Sequence, residues 1–90
     1  MPDYSQSKIY KLTSNHTDKI YVGTTTGCIW MRRRDLKSRY KKNKPIGRCA
    51  ELFCYNDVKV ELIENFPCYH RIQLNKRQQY WANVLNAINK

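Results

Sequence analysis

No apolar run in this sequence approaches the ~20 residues of a membrane span, and the first residues, MPDYSQSK, are polar rather than leader-like. A soluble, intracellular protein is therefore expected. No two of the four cysteines (28, 49, 54 and 68) are spaced as CxxC, and His16 and His70 are not placed to complete a zinc site. Each cysteine sits in or beside an apolar run, so reduced, buried structural thiols are expected. There is no low-complexity stretch, no interdomain linker and no second core's worth of chain, which predicts one domain over residues 1–90. Acid is scarce: 7 Asp and Glu stand against 17 Lys and Arg, a formal net charge of +10. That imbalance implies a polyanionic partner, nucleic acid before an anionic membrane surface. With 41% hydrophobic and 27% charged residues, the composition is globular rather than disordered.

What is present begins with Lys8 to Gly23, KIYKLTSNHTDKIYVG. Two short runs of β-branched and aromatic residues flank the polar segment Thr13–Asp18, the pattern of a β-hairpin. Strands are predicted at about 7–12 and 19–24, with Ile9, Ile20 and Val22 on one face and Tyr10 and Tyr21 on the other. Thr24-Thr25-Thr26-Gly27 breaks the pattern and offers hydroxyls to cap a following helix. From Cys28 to Lys41, the residues Ile29, Arg33, Leu36 and Tyr40 recur at helical spacing. Arg and Lys surround that stripe, so some cations must point toward the hairpin or a ligand. Asn43-Lys44-Pro45 ends the helix, a short helix is predicted over 48–53, and Asn56-Asp57 reads as a turn. Val58–Phe66 alternates as a third strand, stopped by Pro67. A last helix over 71–87 carries Leu74, Gln78, Trp81 and Leu85 as one stripe. The predicted class is α+β, a small three-stranded antiparallel sheet flanked by helices.

The hairpin resembles the GIY-YIG endonuclease domain. Its two signature tripeptides stand here as Lys8-Ile9-Tyr10 and Tyr21-Val22-Gly23, with ten residues between the tyrosines. The likeness extends from Lys8 to Asn89, through the arginine helix, VELIENFPC and the run Leu74-Asn75-Lys76-Arg77-Gln78-Gln79-Tyr80-Trp81. It implies a metal-dependent nuclease that hydrolyses DNA phosphodiester bonds. Such chemistry requires an activated water, cations on the phosphate and a neutralised leaving oxygen.

Carried onto this chain, the resemblance assigns Tyr10 and Tyr21 to the cleft, one of them as the base. A phenol ionises near pH ~10, so surrounding cations are expected to lower it. Gly23 is expected to let backbone approach a phosphate. Arg32, nine residues past Gly23, is the expected phosphate ligand, since a guanidinium is always charged and binds two oxygens at once. Arg33 is the next candidate, and Arg33, Arg34, Lys37 and Asn89 are expected to bind nucleic acid. Leu36 stands where many members carry histidine. Gln78 stands at the position of the metal-binding glutamate, and Mg²⁺ is the cofactor the resemblance implies. A neutral amide binds that ion poorly, since Mg²⁺ favours anionic oxygen.

Gln78 is expected to share one cleft with Tyr10, Tyr21 and Arg32, leaving the chain impaired in cleavage or trapped on DNA. The alternative is a non-catalytic nucleic-acid-binding module of the same fold. A membrane-surface protein is disfavoured, because no helix has a wide apolar face opposite its cations. Specificity is expected to be low or supplied by a further domain or partner.

Overall fold

A computed structural model describes residues 4–55 and 57–89, except for the side chain of Arg48. Asn56, half of the predicted turn, lies outside the described residues, as do residues 1–3 of the polar N-terminus. The strands are β1 (Lys8–Ser14), β2 (Thr17–Thr25) and β3 (Lys59–Asn65); the helices are α1 (Ile29–Lys41), α2 (Ala50–Phe53) and α3 (Arg71–Val84). Both hairpin strands run further into the polar segment than predicted, leaving Asn15 and His16 as the turn. Asp57 stabilises that tight turn by accepting hydrogen bonds from Ser14 Oγ and, at 2.9 Å, from the Asn15 N–H.

The sheet is antiparallel in the order β2-β1-β3. β1 is central, and its apolar side chains are fully buried on both faces: Ile9 on one, Tyr10 and Leu12 on the other. Tyr10, Leu12, Val58 and Val60 pack beneath Ile29 and Leu36 of α1 and Leu52 and Phe53 of α2. Ile9 and Val22 pack against Leu74 and Ala82 of α3, with Cys68 and Ala87 closing the layer. Side-chain alternation thus separates two cores, one on each face of a single sheet.

Two expectations change in detail. Ile63 packs in the α3 core, on the face opposite Val60 as alternation requires, but Leu62, on the Val60 face and paired with Tyr10, is 46% exposed rather than buried. Cys49 and Cys68 are buried thiols as expected, but Cys28 and Cys54 are exposed. Cys28 precedes α1 and Cys54 follows α2, where the chain turns away from the core. Among the described residues no helix is long and apolar enough to cross a membrane.

Candidate functional site

The hairpin register sets the site. Tyr10 faces Gly23 and Leu12 faces Tyr21 across β1 and β2, so both tyrosines project on the α1 face. Tyr10 lies flat over its partner: a Cβ at position 23 would collide with the Cζ and hydroxyl oxygen of the Tyr10 ring. The missing side chain at Gly23 therefore makes room for the tyrosine. This corrects the expectation of a glycine kept open for a phosphate, because the space is already filled.

Arg32, on the first turns of α1, comes down beside the pair. Burial pushes Tyr10 up to about 12; the neighbouring Tyr21 adds to this, and the hydrogen bond and charge of the Arg32 guanidinium oppose it without prevailing. Tyr21 is also raised, again by burial first, with Arg32 opposing. The expectation that cations lower the phenol is thus corrected. Desolvation disfavours the phenolate more than one guanidinium stabilises it. Tyr10 therefore keeps its proton at neutral pH in the free chain.

The other cations of α1 divide by their place on the helix. Arg33 Nε donates to the Val58 carbonyl at 2.9 Å, tying α1 to the start of β3. Its position on the buried stripe turns it inward, so this bond is structural. Arg34 is exposed beside a shallow groove with Met31, Asp35 and Ser38. Lys37 is half-buried. Asp35 pairs with both Arg32 (3.4 Å) and Arg39 (3.3 Å), contacts of little energy at an exposed helix surface. The expected threonine cap is not formed: Cys28 holds the N-cap position without a side-chain bond, and Thr25 Oγ1 accepts instead from the Gly27 N–H at 3.1 Å.

Gln78 and Asn89 meet at the backbone of Val22. Gln78 Nε2 donates to the Val22 carbonyl at 2.9 Å and Asn89 Nδ2 donates to the same oxygen at 2.7 Å. Asn89 Oδ1 accepts the Val22 N–H at 3.2 Å, and the Ile88 N–H reaches the Ile20 carbonyl at 2.8 Å. The segment after α3 thereby covers the open edge of β2, which would otherwise offer unpaired N–H and C=O groups. Asn89 thus clamps the strand edge.

The structure places Gln78 at the backbone of Val22, between Tyr21 and Gly23 in the chain. Gln78 rides on α3, which packs on the face of the sheet opposite α1, and no hydrogen bond joins it to Tyr10, Tyr21 or Arg32. It does not fit Mg²⁺: it is neutral, and its amide nitrogen is committed to Val22. Among the described residues no cluster of three His, Cys, Asp or Glu could hold a metal. Glu64 is held elsewhere, accepting from Trp81 Nε1 at 2.8 Å and from Arg77.

Sequence reasoning missed one feature. Beyond the end of β2 lies a cavity of about 230 Å³, lined by Tyr4, Thr24–Thr26, Arg32, Arg71 and Leu74. It bridges the two helical layers, with Arg32 from α1 on one side and the start of α3 on the other. Gln78 follows Leu74 by one helical turn on the same stripe. The available signal was Arg71, a cation at the first position of a helix, where acids are favoured.

The architecture is thus a three-stranded antiparallel sheet with helices on both faces and a tyrosine pair on its first hairpin. Among solved structures, the chain is similar to the catalytic domain of the homing endonuclease I-TevI, with a TM-score of 0.73 over 89% of this chain and 88% of that one, at 20% identity. At that identity the likeness is one of fold. No protein-family model matches the chain, and no curated protein matches it.

Proposed function

We propose that this chain is a GIY-YIG-type endonuclease domain directed at DNA phosphodiester bonds, which in the form given binds DNA and cleaves it extremely slowly or not at all. The observation that carries the reading is Arg32 set between the buried tyrosine pair and an open cavity. It occurs in a fold shared with an endonuclease catalytic domain. A guanidinium there can hold two phosphate oxygens, and the Tyr10 hydroxyl oxygen orients it by accepting one of its N–H groups. The net charge of +10 draws a polyanion to the surface.

The same geometry supports the reading of slow or absent cleavage. Neither tyrosine is ionised at neutral pH, and the residue at the metal-ligand position is an uncharged amide bonded to Val22. The chain's own residues can bind and orient a phosphate, but they do not activate the water. The alternative, a binding module of the same fold, is favoured by that one contact of Gln78. Plasmid nicking with added Mg²⁺ on this chain and on Gln78→Glu separates the two. The proposal expects an increase of orders of magnitude in the variant. A variant that binds DNA and still does not nick it would leave the binding module as the better reading.

A further inference from the structure

The cavity at the end of β2 has a feature that neither the tyrosine pair nor Gln78 accounts for. Two arginines from different helices line it, and no Asp or Glu does. The Arg71 guanidinium makes no hydrogen bond or ion pair with any described residue. Arg32 meets the Tyr10 hydroxyl and, at 3.4 Å, the exposed Asp35, while its Nε is shut off from solvent with no hydrogen-bond partner among the described residues. Two like charges lining one cavity repel unless an anion lies between them.

The helices point the same way. Neither α1 nor α3 has an acidic residue in its first turn, although the positive end of a helix favours acids. Arg71 opens α3 and Arg32 falls at the fourth residue of α1, so both cations sit where the backbone field disfavours them. That arrangement suits an anionic ligand, which both the guanidiniums and the helix ends attract. Thr24, Thr25 and Thr26 add hydroxyls to the same wall, and hydroxyls together with arginine form a usual set of ligands for phosphate oxygens.

We infer that this cavity is a second backbone-phosphate subsite, in which Arg71 and the Thr24–Thr26 segment hold the phosphate adjacent to the one bound by Arg32. The inference rests on the nucleic-acid reading above and extends it. The bound strand passes from the α1 face around the end of β2 to the start of α3, and Arg71 fixes its register. Arg71 is a positioning residue, remote from the tyrosine pair.

The test uses the whole chain and thymidine 3′,5′-bisphosphate as the probe, followed by the backbone amide NMR signals of Thr24, Thr25 and Thr26, with DNA binding measured in parallel. Saturable shifts of these signals are expected, with affinity lowered by about tenfold or more in Arg71→Gln. Arg71→Lys should recover part of the loss, and Lys59→Gln, at the exposed start of β3, should have little effect. Arg71 is exposed, so its replacement should leave the melting temperature near that of the parent. Three results would overturn the inference. If the threonine signals stay still while the chain binds DNA, the subsite is wrong and the nucleic-acid reading stands. If inorganic phosphate binds as tightly as the bisphosphate, the cavity is a free-anion site and not a strand subsite. If the parent binds no DNA at low salt, both readings fall together.

Discussion

Replacing Gln78 by glutamate tests the site most directly, because the amide has a defined partner. In the parent, the Val22 carbonyl accepts from Gln78 Nε2 at 2.9 Å and from Asn89 Nδ2 at 2.7 Å. Gln78→Glu preserves side-chain length but substitutes an oxygen for the donor, so a partly buried carboxylate then faces a carbonyl oxygen. The lost hydrogen bond and the unpaired acceptor together cost about 2 kcal/mol. For a domain of this size that corresponds to a melting temperature lower by roughly 10 °C. A proton or a cation shared between carboxylate and carbonyl would relieve the repulsion. The variant should therefore melt early in EDTA at neutral pH and recover stability with millimolar Mg²⁺, while the parent melts at one temperature in both. Nicking should appear only with Mg²⁺, and DNA affinity without metal should be unchanged or slightly weaker. A variant as stable as the parent in EDTA, and insensitive to Mg²⁺, would refute the placement of Gln78 on Val22.

Other outcomes follow from the same geometry. Gly23→Ala puts a methyl into the Tyr10 ring and should destabilise the fold by about 1–3 kcal/mol, read from denaturant midpoints; an unchanged midpoint would mean the ring does not lie there. Burial pushes Tyr10 up to about 12, against an ordinary tyrosine value near ~10. The unfolded chain therefore loses that proton first, and stability should fall by about 3 kcal/mol between those limits. A Tyr10→Phe variant should lack that component of the alkaline melting curve. Arg32→Ala in the Gln78→Glu background should abolish nicking while weakening DNA binding only modestly, because the contact strengthens at the transition state. Cleavage at the full rate would show that another arginine does this work. Duplex affinity should fall with salt at a log–log slope of about −0.9 per phosphate contacted, over several phosphates; a flat response would remove the basic face from the interface.

The sequence by itself determined the hairpin, the two helices with apolar stripes and the third strand, because burial on one face leaves a period of two or of 3.6 in the residues. It also placed Tyr10 and Tyr21 on a common face, since strand alternation is local and the hairpin fixes the register. Ile29, Leu36 and Leu74 were legible as core for the same reason. What the side chains at 23, 33, 78 and 89 do was not legible, because each meets a partner distant in the chain. Gly23 serves a ring on the neighbouring strand, Arg33 a carbonyl 25 residues away, and Gln78 and Asn89 a carbonyl 56 and 67 residues away. The resemblance placed Gln78 beside the tyrosines, and its partner in the structure is the backbone of Val22, next to Tyr21. The direction of the Tyr10 shift likewise depended on packing. Counting nearby arginines predicts a lowered value, whereas a ring only 1% exposed responds first to the water it has lost. Only the tertiary structure brings Arg32 and Arg71 to one cavity, since they start helices on opposite faces and meet where β2 ends.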